Sequence, residues 1–446
     1  MKNVIISGAG LSGSLLGIFL ARRGYSVDIF ERRPDLRKVD IRAGRSINLA
    51  LSNRGIKALE KVGLADKILA NAIPMRGRMM HAVDGELTFQ PYGKAENEVI
   101  NSVSRGGLNA MLMEAAEEAG VRIHFKQRCM GMSFRKKSVT FRAEENREVR
   151  TFENVPVLAC DGSASAVRTA MQQVGRFNFH QEYLGHGYKE LNIPPGPNGD
   201  FLMEKNALHI WPRGSYMLIA LPNPDASFTC TLFLPFEGDP GFAQLTRDRD
   251  ISAFFEREFP DALALMPNML QDFNDNPTGQ LVTIRCYPWR VEDTALLVGD
   301  SAHAIVPFYG QGMNCCFEDC SVFDDCLEIY GEDWNGLFDA FQQWRKPNTD
   351  AIAELALENF IEMRDQTADP VFLRKRQLEL RLESAFPGQF LSKYSMVTFH
   401  QTPYAEALRK GRIQDAVLMS VAGRYETVEE IDLGAALAEV RKAISE

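Results

Sequence analysis

The sequence lacks any apolar run approaching the roughly 18 residues that a membrane-crossing helix needs. Its final stretch, Val440 to Glu446, is interrupted by charges. An excess of positive charge is also missing: 50 Lys and Arg stand against 59 Asp and Glu, a net charge of −9. That balance argues against non-specific binding to nucleic acid or to anionic membranes. The opening "MKNVIISGAG" reaches glycine after four apolar residues, too few for a signal-peptide core, and points to a cytosolic protein. Eight cysteines are present, yet no Cys-x-x-Cys pair occurs, and none of the seven histidines sits in a His-Glu-x-x-His spacing. No metal centre is expected. Cys315, Cys316, Cys320 and Cys326 read instead as reduced core thiols on a helix. There is no internal repeat, no low-complexity tract and no second Gly-x-Gly-x-x-Gly; "GHGYKE" lacks the third glycine and the strand context.

What is present is ordinary globular material, 45% hydrophobic and 24% charged, in 446 residues. That length predicts two or three structural units. The chain opens as strand, glycine turn, helix and strand, in "NVIISGAG", "LSGSLLGIFLARRG" and "YSVDIFERR". "GGLNAMLMEAAEEAG" reads as another helix, and "SVTFRAEENREVRTFENVPVLACDG" as a β-meander running into a strand. From about Gly185 to Leu281 strand-rich segments are broken by Pro and Gly turns. "DTALLVGD" returns to a buried strand, a helix starts near Asn314, and from Pro347 onward the pattern is mainly helical. Helices are expected over "DAIAELALENFIEMRDQ", "PVFLRKRQLELRLESAF" and "VEEIDLGAALAEVRKAI".

"GAGLSG" places Gly8, Gly10 and Gly13 in the dinucleotide pattern, between a strand and a helix. Gly8 permits the tight turn, Gly10 lets a pyrophosphate approach the backbone, and Gly13 allows close helix–strand packing. The helix start, with Leu11 and Ser12, offers unpaired N–H groups to the phosphates. Glu31, 18 positions after Gly13, suits ribose hydroxyls and would repel a 2′-phosphate, so FAD or NAD is favoured over NADP at this site. The motif alone does not separate FAD from NAD.

A second feature is "GDSAHAIVPFYGQGMN", which packs Asp300, Ser301 and His303 into four positions. A hydrolase triad is one reading. Residues one to three apart cannot converge as nucleophile, base and orienter, and no Gly-x-Ser-x-Gly elbow is present. Asp300 reads better as a cofactor ligand at a strand end, with His303 as structural support.

Together "GAGLSG…ER", "ACDGSASAVR" and "GDSAHAIVPFYGQGMN" resemble the single-component FAD-dependent aromatic hydroxylases. "GRSINLALSNRG", "MRGRMMH", "QPYG", "LENFIEM" and "KYSMVTF" are similar to the kynurenine-hydroxylating members of that family, over nearly the whole chain. The resemblance implies an α/β (α+β mixed) fold: a Rossmann-like FAD-binding domain (1–70, 99–178 and 282–346), an interleaved β-sheet substrate domain (71–98 and 179–281) and a C-terminal helical cap (347–446). It implies FAD as cofactor, NADPH as co-substrate, and O₂ activated on the flavin to hydroxylate L-kynurenine, with no protein nucleophile. FAD would be held by Gly8, Gly10, Leu11, Ser12, Gly13, Glu31, Arg32, Ala50, Arg105, Cys129, Asp300, Gly312, Met313 and Asn314. "GQGMN" would seat the flavin ring at a helix N-terminus. Arg78 would bind the substrate carboxylate, with Tyr92, Asn359 and Tyr394 as polar partners and Phe308, Tyr309 and Met363 as apolar wall. Read without the resemblance, these are a surface arginine, a turn tyrosine, a helix amide and core side chains. The middle motif, around Asp161 and Arg168, would serve the nicotinamide. Eukaryotic members continue into a membrane-anchoring segment that this chain does not show, which suggests a soluble, bacterial type. Oligomeric state stays open, a homodimer included. Two other functions also remain: hydroxylation of another aromatic acid, or a non-catalytic FAD-fold binding protein.

Overall fold

The computed structural model describes residues 2–38, 48–93, 98–362 and 369–445. The chain divides into two compact units. The first comprises Met1–Ala72, Val103–Leu184 and Leu281–Ala353; the second comprises Ile73–Ser102, Gly185–Gln280 and Glu354–Glu446. Met363 and the stretch 44–47, both named above, lie outside the described residues.

The first unit is built on a six-stranded sheet in the order Arg290–Val291, Ala295–Leu297, Val157–Ala159, Asn3–Ser7, Ser26–Phe30 and Arg122–His124. Asn3–Ser7 pairs in parallel on both sides, with Ile6 opposite Ile29 and Leu158. A strand covered on both faces needs a continuous apolar run, which is why Val4, Ile5 and Ile6 follow one another and are all buried. Helix Leu11–Arg22 returns the chain to the next parallel strand and buries Leu15, Leu16, Ile18 and Phe19. The meander of Gln127–Ser133, Ser138–Ala143 and Val149–Glu153 is antiparallel. Its Val139 and Phe141 pack on Ile5, Phe30 and Val157, with Phe30 and Phe141 stacked at 4.1 Å.

Most of a seven-stranded sheet falls in the second unit, in the order Gly279–Tyr287, Asn178–Ile193, Phe228–Pro235, Met217–Pro222, Ala207–Pro212, Gly77–His81 and Leu87–Pro91. Gly77–His81 joins Ala207–Pro212 in parallel and Leu87–Pro91 antiparallel. Helices Asp248–Glu258, Pro260–Leu263 and Met269–Asp275, with Phe259 between the first two, contribute Phe254, Phe255, Ala262 and Phe273 to a core with Phe228 and Leu232. Helices Pro370–Ala385, Tyr404–Ala422 and Leu433–Ser445 share a separate apolar cluster of Leu378, Leu382, Leu418, Val421 and Val440. Among the described residues no helix is long and apolar enough to cross a membrane.

Three elements differ from the sequence expectation. "GHGYKE" lies inside the long strand Asn178–Ile193, so it does have a strand context but forms no turn. The helix expected from Pro347 begins at Trp334 and runs through the proline to Ile361. An interior proline costs about 3 kcal/mol; burying Leu337, Phe338, Phe341, Ile352 and Leu355 returns roughly 1.5–3 kcal/mol per side chain and outweighs it. The last helix starts at Leu433, after the expected beginning, because the Asp432 carboxylate accepts from Gly434 N and Ala435 N and caps it there.

Candidate active site

In the first unit, the three glycines of the opening turn have three different surroundings. Gly8 has φ +101°, and a Cβ there would lie 2.5 Å from Cys160 O. A Cβ on Gly13 would lie 2.0 Å from Gly8 O, whereas one on Gly10 would meet nothing within 4 Å. The turn is closed at two points and open at one, the cradle a pyrophosphate requires. Leu11, Ser12 and Gly13 precede the first intrahelical bond, Ser14 N to Gly10 O, so their N–H groups sit at the positive end of the helix. Glu31 is fixed just past its strand: Oε2 accepts from Ala9 N (2.9 Å) and Oε1 from Arg33 N (2.8 Å). Arg32 is exposed beside it.

Arg105 is exposed at the start of helix Arg105–Glu118, whose cap Ser104 accepts from Gly107 N. Cys129 is half-buried on the meander, and burial with the nearby Asp161 pushes its thiol up to about 11. Sequence reasoning passed over Asn109. Its Nδ2 donates to Ala9 O at 3.3 Å, while its Oδ1 is buried without a hydrogen-bond partner among the described residues. An open glycine cradle and an orphaned acceptor next to it both fit a dinucleotide cofactor such as FAD.

The "GDSAHAIVPFYGQGMN" run lies in the same unit. Gly299 turns with φ +67°, and half-buried Asp300 opens a short helix, with Cys316 Sγ 3.6 Å from its Oδ1. Ser301 is no nucleophile. Its hydroxyl is buried, lies 2.5 Å from Ala159 O and 2.9 Å from Val298 O, and accepts from Val298 N. His303 bonds to neither Ser301 nor Asp300; its Nε2 sits 2.6 Å from Asp319 Oδ2. Arg168 of the middle motif donates to Ser301 O at 2.8 Å, while Asp161 accepts from Ala166 N. Arg168 also lines a cavity of about 320 Å³ with Phe179, Gln181 and Tyr183. Phe308 and Tyr309 are buried in a 3₁₀ turn.

Helix Gly312–Tyr330 follows. Gly312, Met313 and Asn314 precede its first intrahelical bond, Cys315 N to Gln311 O. The Asn314 side chain is structural: Oδ1 accepts from Ser52 N, and Nδ2 donates to Ala50 O and Gly310 O. It ties the helix start to strand Asn48–Leu51.

A buried ionic network beneath this loop was not legible in the sequence. Arg54 Nη1 donates to Glu318 Oε1 (2.5 Å) and Arg345 Nη1 to Glu318 Oε2 (2.6 Å); Arg345 Nε donates to Asp319 Oδ1 (2.6 Å). Asp319 Oδ2 also accepts from Gly299 N at 3.1 Å. Burial alone would raise the Asp319 carboxyl, but His303 and Arg345 hold it below the usual carboxylate range. His303, Cys315 and Asp319 have donor atoms within 4.8 Å of one another. The guanidinium of Arg345, bonded to Asp319 and 3.4 Å from Cys315 Sγ, already supplies the cation there.

The second unit brings together three residues remote in sequence. Arg78 Cζ lies 5.7 Å from the Tyr92 ring centroid and 5.3 Å from that of Tyr394, and the two phenols stack at 5.7 Å and 15°. Arg78 Nε is buried and has no hydrogen-bond partner among the described residues. Burial would lower the guanidinium pKa, but Tyr394, Tyr92 and Glu362 raise it overall. Asn359 is buried in the part of helix Trp334–Ile361 that belongs to this unit.

Residues 1–229 match the family described as FAD binding domain. The chain is 51% identical over 443 residues to the kynurenine 3-monooxygenase of Myxococcus xanthus, covering 99% of this chain and 95% of that one. With the kynurenine 3-monooxygenase of Flavobacterium johnsoniae it shares 46% over 428 residues, 96% of this chain and 95% of the other. Among solved structures, the tetrameric form of 2-methyl-3-hydroxypyridine-5-carboxylic acid oxygenase is similar with TM-score 0.66 and 20% identity, over 84% of this chain and 95% of that one. PqsL of Pseudomonas aeruginosa in complex with 2-aminobenzoylacetate gives TM-score 0.65 and 19% identity, over 82% and 97%. These distant structures support the fold; the near-full-length relatives go further. The chain belongs to the kynurenine 3-monooxygenase family of FAD-dependent hydroxylases.

Proposed function

We propose that this protein hydroxylates L-kynurenine to 3-hydroxy-L-kynurenine, with FAD bound and with NADPH and O₂ as co-substrates. FAD, when bound, supplies the redox chemistry, taking up hydride and activating O₂. The protein's part is to bind, orient and shield. The observation that carries the reading is Arg78 between Tyr92 and Tyr394, with its Nε buried and, among the described residues, without a hydrogen-bond partner. A buried guanidinium with an unused donor is a receptor for a carboxylate, and the aromatic faces beside it suit an aryl amino acid. Tyr92, Tyr394 and Asn359 serve as the polar partners. Glu31, the open side of Gly10 and the helix start at Leu11–Gly13 are assigned to the adenosine diphosphate half of FAD; Asp300 and the helix start at Gly312–Asn314 are assigned to the flavin half. The cavity beside Arg168 is assigned to NADPH, and the setting to the cytosol.

The test is the purified, FAD-loaded protein given NADPH, O₂ and a panel of aromatic acids. Kynurenine should stimulate NADPH oxidation and yield 3-hydroxykynurenine. If another aromatic acid does so and kynurenine does not, the substrate assignment fails. Arg78→Ala removes a charge-assisted pair of about 1.5–3 kcal/mol, so KM for kynurenine should rise roughly 10- to 150-fold with FAD affinity unchanged. An unchanged KM would take Arg78 out of the site.

A further inference from the structure

Three residues after Arg78, the same strand ends in His81, which belongs to a buried hydrogen-bond chain that the proposed function leaves unused. His81 Nδ1 lies 2.8 Å from Asp261 Oδ2, and its Nε2 lies 2.9 Å from His209 Nδ1. His209 Nε2 lies 2.8 Å from the main-chain oxygen of Glu204. Trp211 Nε1 donates to the same Asp261 oxygen at 2.7 Å, and its ring stacks on His81 at 3.9 Å. The two imidazoles are only 5% and 2% exposed.

This chain fixes a proton count. A main-chain carbonyl can only accept, so His209 Nε2 carries a hydrogen. The His209–His81 and His81–Asp261 links each need one more. Three links require three hydrogens, while two neutral imidazoles bring only two. With a bare carboxylate, one link would set two lone pairs face to face, which is costly beside the two buried imidazoles. The chain therefore holds one proton more than a carboxylate and two neutral imidazoles. His209 Nε2 is committed to a carbonyl, so the extra proton belongs at the one link to a carboxylate, His81 Nδ1 to Asp261 Oδ2 at 2.8 Å. Burial lowers His81 as it does His209, so the proton is held only on the acid side of the ordinary imidazole value.

We infer that His81 is a positioning residue for Arg78, clamping strand Gly77–His81 through a proton shared with Asp261. This rests on the reading of Arg78 as the carboxylate receptor. The strand is held in register by Ala207–Pro212, with Arg78 opposite Leu208 and Met79 opposite His209. The clamp at His81 fixes its far end to helix Pro260–Leu263. No glycine separates His81 from Arg78, so displacement of one end is transmitted to the other. The charged groups around the clamp are known: Arg213 Nη1 donates to His81 O (3.0 Å) and its Nε to Glu258 O (2.7 Å). Burial lowers His81 overall, with Asp261 raising it and Arg213 lowering it. Burial raises Asp261, but Trp211 and His81 hold it below the ordinary carboxylate range, and Glu204 acts on His209. Facing His81 on the other neighbouring strand is Leu87, which does not titrate.

Loss of the shared proton as pH rises through the lowered His81 value, on the acid side of an ordinary imidazole, opens one link and frees the strand. KM for kynurenine should then rise with pH in the FAD-loaded wild type while kcat at saturation changes little. In His81→Gln, KM should be about tenfold higher at the acidic end, the effect of roughly one hydrogen bond, and should show no such rise with pH. Asp261→Asn should flatten the profile in the same way, since an amide oxygen can accept from Trp211 and His81 but carries no charge to hold the added proton; it serves where His81→Gln does not fold. Proton NMR gives a readout independent of turnover: a far-downfield resonance from the His81–Asp261 link should be present in wild type and Arg78→Ala and missing from His81→Gln. Wild-type KM values in both clamp variants at every pH, or no such resonance in the wild type, would overturn the inference. Should Arg78→Ala leave KM unchanged while the resonance persists, the carboxylate reading has failed rather than the proton count.

Discussion

At the scale of single residues, the glycine turn shows why one motif asks for one residue type for different reasons. Gly13 is needed by the protein, because any side chain would meet Gly8 O. Gly10 is not: its φ of −73° is open to every residue, and the space around its Cβ is empty. It is needed only if something else fills that space. Gly10→Val should therefore leave the apoprotein's stability within about 0.5 kcal/mol of wild type, as for a harmless surface change, yet weaken FAD binding more than roughly 100-fold by blocking the pyrophosphate. Gly13→Val should destabilise the apoprotein itself. Thermal unfolding of apoprotein and titration with FAD, followed by flavin fluorescence, separate the two; a Gly10→Val protein that binds FAD normally would remove the cofactor from this turn. This much was legible in the sequence, since all the constraints fall within a few residues. Arg78 was not legible on its own. Its partners Tyr92 and Tyr394 are brought to it only by the fold, and without family resemblance it reads as a surface residue.

At the scale of elements, the helix start at Gly312 and the Gly299 turn are held by charges that no local pattern reveals. Arg54 and Glu318 are 264 positions apart, and Arg345 lies 26 beyond Asp319. In the sequence, Glu318 and Asp319 are simply two acids in a helix. In the fold, half-buried Glu318 and buried Asp319 become the counter-ions of two arginines, each no more than 3% exposed. Removing one partner of such a pair strands the other charge and costs about 3–5 kcal/mol, so Asp319→Ala should lower stability by that amount, as read from urea midpoints. The network also sets an acid limit. Burial raises both carboxyls, but the neighbouring Arg345, with His303 for Asp319 and Arg54 for Glu318, holds each below its ordinary value in the folded state. Their stabilisation is complete above the unfolded pKa near 4 and disappears as pH falls through the lower folded values. The urea midpoint of wild type should fall steeply below about pH 4, and that fall should be shallower in Asp319→Ala; equal slopes would show that the network carries no linkage. The helix Tyr404–Ala422 was harder to read for another reason. Gly411 sits mid-helix, where glycine costs about 1 kcal/mol relative to alanine, and only the structure shows its use: a Cβ there would lie 2.6 Å from Lys393 Cγ.

At the scale of the whole molecule, each unit is assembled from three separated segments, and the polar groups assigned to the two ligands divide between the units. The glycine turn, Glu31, Asp300 and the helix start at Gly312 belong to the first; Arg78, Tyr92, Asn359 and Tyr394 belong to the second. A ligand stabilises what it binds by RT ln(1 + [L]/Kd), about 2.7 kcal/mol at 100 times Kd, and amide exchange slows where local opening must release that ligand. FAD added to apoprotein should therefore protect peptides covering Gly8–Leu20 and Gly299–Cys316. Kynurenine added to the holoprotein should add protection over Gly77–Tyr92 and Lys393–Thr398, the segments that carry Arg78, Tyr92 and Tyr394. Hydrogen exchange read by mass spectrometry resolves these peptides. If kynurenine left Gly77–Tyr92 unprotected at saturation, the division of ligands between the units would be wrong, even with turnover intact. If it protected that strand in wild type but not in His81→Gln, the effect would be traced to the strand's far end, because Arg78 itself is unchanged in that variant.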